Sequence, residues 1–463
     1  MIIEQLYTNC LAQAAYYIES EGEVAIIDPL RDYQSYIEKA KGNNAKIKYI
    51  FETHFHADFV SGHIDLAAKT GASIVYGPTT VTTYPVHVAT DNESFKIGKL
   101  TLKVLHTPGH TPESSSFLLL DENQKPYCVF TGDTLFVGDV GRPDLLDGIM
   151  TKEELAGMMY HSLKKLTALP DDVIVYPAHG PGSACGKNIG KETYSTIGEQ
   201  KKFNYALQPM SEANFIKVVT DGIPPAPAYF FKDAMLNKQG YAHFDDVVKT
   251  GMKAMEVDEF ENTIKQENVV IIDTRIPDEF ENGFVPGSVN IGLSGQYAIW
   301  AATLFDLKKP IVLVCKPGTE EESVQRLTRV GFDNILGYLN QGFETWKEAG
   351  RKIDMVISIS AEEFALDVKH NEKARVIDVR RPTEFDSGHV LNACSMPLAD
   401  IPKRVNELDK SAELLVHCAG GHRSMIASSL LKKEGYINVK NVWGGYGKIR
   451  EQEVALVEPK AAV

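Results

Sequence analysis

Cysteine is scarce in this sequence and is nowhere clustered. The 463 residues contain six cysteines, with neither the dense spacing of a disulfide scaffold nor the CxxC pairs of a structural zinc site. We therefore expect free thiols, most of them buried as small apolar side chains. The six are Cys10, Cys128, Cys185, Cys315, Cys394 and Cys418.

Long apolar runs and clustered positive charge are also lacking. No segment approaches the apolar length that crosses a bilayer, and the first residues, MIIEQLYTNC, carry no basic leader. The formal net charge of −14, without a Lys- or Arg-rich stripe, argues against a phosphate-backbone partner. These absences predict a cytoplasmic protein with neither a nucleic-acid nor a membrane partner.

Length and composition instead indicate a globular chain of several domains. Hydrophobic residues make up 43% of the chain and charged residues 24%, which excludes the disordered and membrane classes. A chain of 463 residues exceeds what one hydrophobic core usually supports. We therefore expect about three domains.

The first 192 residues read as an alternation of short β-branched runs, turn signals and helical patches. Histidine and aspartate follow these runs in TH, HTPGH, TGD and PAHG, at strand ends where a two-layer β fold exposes functional loops. A functional site at the sheet edge is expected. The prolines of DGIPPAPAYF then indicate a linker with connecting helices over residues 193–256.

The rest of the chain repeats itself. The run that starts at Val269 matches the run that starts at Ala374, about 105 residues later, and Cys315 aligns with Cys418. Strands followed by helical stretches in each copy predict a βα alternation and a mainly parallel sheet, twice over. We infer a duplication, with a middle copy at residues 257–355 and a C-terminal copy at residues 356–463.

The histidines and aspartates at the predicted strand ends form one specific set. Four histidines and two aspartates in these positions indicate a metal site far more strongly than a lone histidine does. The set resembles that of the metallo-β-lactamase superfamily, which implies an αββα sandwich over residues 1–192. The matching positions are His54, His56, Asp58, His110, Asp133 and His179.

Phe59 departs from the superfamily pattern, because the hydrolases carry a histidine there. A benzyl side chain donates no lone pair to a divalent ion, so a two-zinc site is disfavoured. The chain is similar to the persulfide dioxygenase branch of the superfamily, which implies one Fe(II) per chain, O₂ as co-substrate and three open coordination positions. The ligands that this resemblance implies are His54, His110 and Asp133.

Further residues around this expected iron also receive roles. His56, Asp58 and His179 are expected to orient ligands or to serve as extra ligands, the alternative being a hydrogen-bond network without a catalytic role. Arg142, in GRPD, resembles an arginine at the substrate mouth of the dioxygenase branch, and its alternative is a salt bridge. Cys185 either relays a persulfide beside the iron or packs a loop.

The C-terminal copy carries a strong sulfur-transfer signal. Cys418-Ala-Gly-Gly-His-Arg423 follows an apolar strand, precedes a helical stretch and resembles the active-site loop of rhodaneses. Backbone N–H groups around the sulfur, the helix N-terminus and Arg423 favour a thiolate or persulfide anion. We predict that Cys418 and Arg423 are catalytic, in a rhodanese-like α/β domain.

The middle copy is also rhodanese-like, but its loop reads CKPGTEEE, with Glu320 where an arginine is expected. Its proline removes one N–H donor, and the three carboxylates repel thiolate, sulfite and thiosulfate. We predict a mainly structural pseudo-rhodanese. A sulfur relay of reduced activity through Cys315 is the alternative.

These resemblances together predict a persulfide dioxygenase coupled to a sulfurtransferase, which oxidises low-molecular-weight persulfides to sulfite and thiosulfate in sulfide detoxification. Fusion of the domains raises the effective concentration for the second step. Two alternatives stay open, a zinc thioesterase of the glyoxalase II type and a non-catalytic carrier of sulfane sulfur. The family analogy implies a homo-oligomer, and the sequence leaves the thiol carrier unidentified.

Overall fold

The computed structural model describes residues 1–146 and 148–458, so residues 459–463 of the predicted final domain lie outside the described part. The chain forms two compact units. The first contains Met1–Asp246 and Leu327–Phe332, and the second contains Val247–Arg326 and Asp333–Val463.

Two six-stranded sheets form the centre of the first unit. The first sheet has the order β1-β2-β3-β4-β5-β6 and the second the order β12-β11-β10-β9-β8-β7. The strands are β1 Ile2–Thr8, β2 Gln13–Ser20, β3 Glu23–Ile27, β4 Lys46–Phe51, β5 Ser73–Tyr76, β6 His87–Val88, β7 Ser94–Ile97, β8 Leu100–His106, β9 Ser115–Leu120, β10 Pro126–Gly132, β11 Ile174–Pro177 and β12 Ser195–Thr196.

Helices cover the outer face of each sheet. One apolar cluster joins the facing sides of the two sheets, for example Phe51 of β4 with Phe117 of β9, and a second joins the outer side of the second sheet to helices. The result is the predicted αββα sandwich. The helices are α1 Gln34–Gly42, α2 His63–Thr70, α3 Lys152–Thr167, α4 Ile197–Phe203, α5 Glu212–Thr220 and α6 Phe230–Gln239, followed at the boundary of the units by α7 Phe244–Gly251.

Residues 193–246, the larger part of the segment 193–256 that the sequence assigns to a linker with connecting helices, fold as part of the first unit. Phe215 and Val219 of α5 are buried in the apolar cluster on the outer side of the second sheet. The segment therefore adds to the core of this unit, and α6 brings further side chains to the site described below.

The second unit contains two parallel sheets of the same design. The middle sheet has the order β13-β17-β16-β14-β15 and the C-terminal sheet the order β18-β23-β22-β19-β21. All their strand pairs are parallel, as the sequence predicts for both copies. The strands of these two sheets are β13 Ala254–Met255, β14 Val270–Asp273, β15 Ser288–Asn290, β16 Ile311–Val314, β17 Ile335–Leu339, β18 Ile357–Ile359, β19 Ala374–Asp378, β21 Cys394–Ser395, β22 Glu413–His417 and β23 Val439–Val442. Two further strands, β20 His389–Val390 and β24 Leu456–Val457, form a separate antiparallel pair.

Helices follow most of these strands and complete two rhodanese-like α/β folds. The helices of the unit are α8 Val257–Ile264, α9 Pro277–Phe280, α10 Tyr297–Leu304, α11 Glu320–Thr328, α12 Phe343–Glu348, α13 Ala361–His370, α14 Pro382–Asp386, α15 Ile401–Arg404, α16 His422–Lys433 and α17 Gly445–Ile449. Among the described residues, no helix is both long and apolar enough to cross a membrane.

The two copies share a buried brace as well as a topology. Arg275 donates to both oxygens of Asp273 and to the carbonyl of Gly283, while Arg380 donates to both oxygens of Asp378 and to the carbonyl of Gly388. Each guanidinium also stacks on an aromatic ring at the start of the last helix of its copy, at 4.3 Å on Phe343 and 3.9 Å on Tyr446. The duplication is therefore structural as well as sequential.

Candidate metal centre and sulfur-transfer loops

Three buried donors meet at the ends of strands β4, β8 and β10. His54 Nε2 lies 3.8 Å and His110 Nε2 lies 3.5 Å from Asp133 Oδ2, and each of the three side chains is at most 1% exposed. Gly132 ends β10 with a φ of +53°, and a Cβ there would lie 2.7 Å from the Thr53 side chain. Glycine thus lets the two strand ends approach each other.

Hydrogen bonds fix which nitrogen of each imidazole faces Asp133. His110 Nδ1 lies 2.8 Å from the carbonyl of Arg142, which only accepts, so Nδ1 carries the proton and Nε2 the lone pair. His54 Nδ1 lies 3.0 Å from Thr53 Oγ1, whose hydroxyl donates to Asp28 at 2.9 Å. The Thr53 oxygen must then accept from Nδ1, which again leaves the lone pair on Nε2.

The atoms that face one another in this group have no hydrogen-bond partners among the described residues. They are Nε2 of His54, Nε2 of His110 and both carboxylate oxygens of Asp133. Leaving such buried atoms unsatisfied costs about 1–3 kcal/mol each, and more for a charged group. Burial also lowers the pKa of both imidazoles, which keeps them neutral and able to donate lone pairs. Two imidazoles and one carboxylate in this arrangement fit a single divalent transition metal.

A second group lies next to the first and shares Asp133. His179 Nε2 is 3.5 Å from Asp58 Oδ2 and also 3.5 Å from Asp133 Oδ1, while His179 Nδ1 is bonded to the carbonyl of Ala12 at 3.2 Å. The donor atoms of His56, Asp58 and His179 all lie within 4.8 Å of one another. The structure therefore brings together all six residues of the sequence-predicted set.

His56 is oriented differently from the other histidines of the set. Its Nε2 lies 3.0 Å from Asp28 Oδ1 and 3.8 Å from Glu52 Oε2. Burial acts to lower the pKa of His56, but the charges of Asp28, Glu52 and Asp58 outweigh burial and raise it to about 9. Its second nitrogen, Nδ1, is buried without a hydrogen-bond partner in the described part of the chain.

Phe59 fills the position beside His56 with an apolar ring. It is fully buried, and its ring centroid lies 4.4 Å from that of His56 at an interplanar angle of 36°. Asn237 of α6 donates to the carbonyls of His56 and Phe59, at 2.8 Å each, and accepts from the N–H of Ser61. The loop that carries the metal-facing residues is thus clamped from a helix far along the chain.

Cys185 lies against the metal-facing group. Its sulfur is within 4.8 Å of a donor atom of Asp133 and of His179, and the residue is 1% exposed. Burial, followed by the charges of Asp58 and Asp133, raises the pKa of the thiol well above its usual value. The predicted relay of a persulfide through Cys185 stays a prediction.

Arg142 is buried beneath the loop that carries Cys185. Its guanidinium donates to both oxygens of Asp144, at 2.7 and 2.8 Å, and to the carbonyls of Ala184 and Pro224. Its backbone N–H also donates to the carbonyl of Cys185 at 2.9 Å. The ion pair is the alternative that the sequence left open for this residue, and its predicted role in substrate binding stays a prediction.

Three residues near the site were not singled out from the sequence. Asp28 directly follows β3, so the same strand-end signal that selects the metal residues was available for it. Asn237 and Tyr229 carry no such signal, because they lie in the segment of 193–246. Burial, followed by the charges of Asp58 and Asp233 and the nearby Cys185, raises the pKa of Tyr229 well above its usual value, and the residue is 3% exposed.

The Cys418 loop forms a cradle at the start of α16. The backbone N–H of Gly421 donates to the sulfur of Cys418 at 3.1 Å, and Cys418 is 2% exposed. Arg423, in the first turn of the helix, forms two hydrogen bonds of 2.7 Å with Glu384. This ion pair, with a backbone hydrogen bond from Arg381, lowers the pKa of Glu384 to about 2. The positive charge beside the sulfur is therefore balanced by a carboxylate.

The loop of the middle copy lacks this arrangement. Burial, with smaller contributions from the charges of Asp273 and Glu320, raises the pKa of Cys315 to about 12. Glu320 starts helix α11, and its carboxylate accepts a hydrogen bond from the N–H of Gly318 in the same loop. Cys315 is thus a protonated, buried thiol in a loop that has Glu320 where the C-terminal copy has Arg423.

Comparison with known families gives two matches along the chain. The family model of the metallo-beta-lactamase superfamily matches residues 8–179. The family model of the rhodanese-like domain matches twice, at residues 256–349 and 360–452.

Curated relatives are similar to part of this chain. A hydroxyacylglutathione hydrolase of Tolumonas auensis is 38% identical over 168 residues, which are 35% of this chain and 60% of that protein. A probable hydroxyacylglutathione hydrolase, glo2, of Schizosaccharomyces pombe is 30% identical over 204 residues, which are 39% of this chain and 75% of that protein. This chain thus spans about 60% of the length of the first relative.

Solved structures extend the likeness. A metallo-beta-lactamase of Staphylococcus aureus subsp. aureus COL is 34% identical, with a TM-score of 0.66, and the match covers 73% of this chain and 98% of that one. The structure of ETHE1 from Myxococcus xanthus is 28% identical, and the match covers 51% of this chain and 98% of that one. Its TM-score of 0.44 is too low for this likeness to bear on function.

Proposed function

We propose that this chain, which belongs to the metallo-β-lactamase superfamily and carries two rhodanese-like domains, is a persulfide dioxygenase with one Fe(II) per chain, coupled to a sulfurtransferase. It oxidises low-molecular-weight persulfides with O₂ to sulfite, and Cys418 converts sulfite to thiosulfate in sulfide detoxification. The small-molecule partners, the homo-oligomeric state and the cytoplasmic location stay predictions.

The observation that carries this proposal is the donor set around Asp133. His54 and His110 turn their Nε2 lone pairs toward Asp133, which gives two imidazoles and one carboxylate. Phe59 is buried where a two-metal hydrolase needs a further imidazole. Two histidines and one carboxylate are the ligand set of non-haem Fe(II) oxygenases, which leaves coordination positions for substrate and O₂.

A bound iron would supply the activation of O₂ and a site for the persulfide sulfur. The residues of the chain orient the ligands: the carbonyl of Arg142 holds His110, and the Asp28–Thr53 pair holds His54. Phe59 and the other buried side chains exclude water from the site. In the net reaction, persulfide, O₂ and water give thiol and sulfite, as O₂ takes four electrons from the outer sulfur.

The second step uses Cys418. Sulfite attacks the outer sulfur of a Cys418 persulfide, the S–S bond to Cys418 breaks, and Cys418 leaves as a thiolate while thiosulfate forms. The N–H of Gly421, 3.1 Å from the sulfur, stabilises the thiolate that leaves. No net electron transfer is needed for this exchange.

A zinc thioesterase is the second candidate, and two observations favour it. Two curated relatives are named hydroxyacylglutathione hydrolases. Asp133 also turns one oxygen to His179 and the other to His54 and His110, as a carboxylate that bridges two metals does. Hydrolysis of a thioester would then take place in the first unit, without O₂.

Metal analysis of anaerobically purified protein, followed by O₂ uptake with a low-molecular-weight persulfide, separates the two candidates. We expect about one iron per chain, persulfide-dependent O₂ uptake, and a shift from thiosulfate to sulfite in Cys418→Ser. Cys315→Ser is the matched control and should leave the products unchanged. Two zinc ions per chain, thioester hydrolysis and no O₂ uptake would replace this proposal with the thioesterase.

A further inference from the structure

A cavity of roughly 470 Å³ opens beside the Cys418 loop, and both rhodanese-like copies line it. We call it the shared cavity. Both copies belong to the second unit. The middle copy contributes Ser294, Gly295, Gln296 and Trp300, and the C-terminal copy contributes Arg381, Glu384, His422 and Arg423.

Buried contacts place the middle copy against this cavity. The N–H of Asn290, at the end of β15, donates to Ser429 of α16 at 3.0 Å, and both residues are at most 1% exposed. Just beyond β15, a Cβ on Gly292 would lie 3.7 Å from His422 Nε2. The loop that starts there therefore runs directly over the first turn of the helix that carries the Cys418 cradle.

The charges in the shared cavity favour an anionic group. Glu384 neutralises Arg423 through two hydrogen bonds, whereas the exposed side chain of Arg381 has no ion-pair partner among the described residues. Burial, followed by the charge of Arg423, lowers the pKa of His422, so this ring is neutral. Two guanidinium groups and one carboxylate leave one net positive charge at the rim, and a carboxylate is a suitable bidentate partner for Arg381.

The other wall favours an organic body of moderate size. Trp300 is half-buried and offers a flat apolar face, and Gln296 beside it offers an amide. Small-molecule sites commonly measure about 300–1,000 Å³, so the cavity has the volume of such a site. Sulfite or thiosulfate alone would leave most of it empty.

We propose that the shared cavity binds a low-molecular-weight thiol that carries a carboxylate, as the exchange partner of Cys418. Arg381 pairs with the carboxylate, Trp300 packs on the carbon body, and the thiolate reaches the Cys418 persulfide. The thiolate attacks the outer sulfur, the S–S bond to Cys418 breaks, and the electron pair of that bond stays on Cys418. The middle copy thereby forms part of the substrate site, although its own loop is unsuited to the chemistry.

This inference rests on the proposed sulfurtransferase role of Cys418, so its test has one readout that needs no turnover. S-methylglutathione carries carboxylates but no free thiol, and its binding to the full chain is measured by isothermal titration calorimetry. We expect binding to the wild type that is at least tenfold weaker in Arg381→Ala and in Trp300→Ala. The diethyl ester of the same probe should bind at least tenfold more weakly than the acid to the wild type.

Arg375→Ala is the matched control, because Arg375 is exposed at the opposite end of β19 and does not line the cavity. It should bind the probe as the wild type does. No binding to the wild type, or equal binding of acid and ester, would overturn the inference.

A second measurement uses sulfur transfer to glutathione and to the neutral thiol 2-mercaptoethanol. Arg381→Ala should raise the KM for glutathione at least tenfold more than the KM for 2-mercaptoethanol. If Cys418→Ser still transfers sulfur, the proposed function fails, while the binding result stands by itself. If both KM values rise equally in Arg381→Ala, only the shared cavity is wrong.

Discussion

The ring of Phe59 lies 4.4 Å from the ring of His56, and both side chains are fully buried. Phe59 thus occupies space beside the second donor group without adding a donor. Phe59→His should raise the zinc content of metal-loaded protein from one toward two per chain, because it adds an imidazole next to Asp58. Persulfide-dependent O₂ uptake should fall at least tenfold. Metal content is measured by mass spectrometry after dialysis.

Phe55→His is the matched control for this change. Phe55 lies in the same loop but packs on Tyr76, with ring centroids 5.0 Å apart. It should keep one metal per chain. An unchanged metal content in Phe59→His would mean that the second donor group cannot hold an ion even with the imidazole present.

His110→Ala should abolish the stabilisation that the proposed metal would give to the first unit. A ligand that binds only the native state stabilises it by about 2.7 kcal/mol at a hundredfold excess over Kd, so a chelator should lower the Tm of the wild type by several degrees. The Tm of His110→Ala should not respond to the chelator. His106→Ala, at the end of β8 four residues before His110, should respond like the wild type. Equal responses in both variants would exclude His110 as a ligand.

Asn237→Ala should destabilise the metal loop from a distance. The substitution leaves the buried carbonyls of His56 and Phe59 and the N–H of Ser61 without their partner. We expect a loss on the order of 3 kcal/mol in the free energy of unfolding and a lower iron occupancy. Thermal melting and metal analysis report both, and the exposed Asn214→Ala should change neither. Wild-type metal content in Asn237→Ala would show that the hydrogen bonds of Asn237 are not needed for metal binding.

The cysteines should differ sharply in reactivity toward iodoacetamide at pH 8. Burial raises the pKa of Cys315 to about 12 and that of Cys185 well above its usual value, so both thiols stay protonated. Cys418, with the N–H of Gly421 at its sulfur, should be alkylated at least tenfold faster. Peptide mass spectrometry gives the three rates, and all six cysteines should react alike in denaturant. Labelling of Cys315 that is faster than labelling of Cys418 would favour the sulfur relay through Cys315.

The Arg423–Glu384 pair should give a defined pH dependence. The pair lowers the folded-state pKa of Glu384 from 4.5 to about 2, so its contribution to stability is present above about pH 4.5 and is lost as the pH falls toward about 2. The stability difference between the wild type and Glu384→Gln should follow this course. A difference that does not change between pH 5 and pH 2 would show that the pair contributes nothing.

Tryptophan fluorescence during urea unfolding measures this difference. The three tryptophans, Trp300, Trp346 and Trp443, all lie in the second unit, so the signal reports the unit that holds the pair. Glu372→Gln is a suitable control, because Glu372 is exposed just before β19, at the opposite end of that strand from Glu384. It should not reproduce the loss between pH 4.5 and pH 2.

The fold could be predicted from the sequence because its signals are local. Runs such as KIKYIF and LTLKVLH give strands β4 and β8 directly, and the repeat predicts two parallel sheets. The metal-facing residues were accessible for the same reason, since each stands within a few residues of a strand end. Asn237 and Tyr229 were not accessible, because only the packing of α6 and the chain before it brings them near His56 and Asp58.

The environment of Arg142 shows a second limit. A sequence pattern identifies an arginine near a metal site, but it does not show that Asp144 and two carbonyls from distant segments already occupy the guanidinium. Arg423 of α16 is similar, because its partner Glu384 lies in α14, 39 residues earlier in the chain. Long-range hydrogen bonds of charged groups depend on tertiary structure and leave no periodic trace in the chain.

Arg275 and Arg380 form the same brace in the two copies, so one copy can serve as the internal control for the other. The C-terminal copy holds Cys418 in a loop with an arginine, and the middle copy holds Cys315 in a loop with three glutamates. A comparison of Cys315 with Cys418 in one tube therefore cancels concentration, redox potential, temperature and age of the sample. What remains is the effect of a few loop residues on a thiol, measured inside a single molecule.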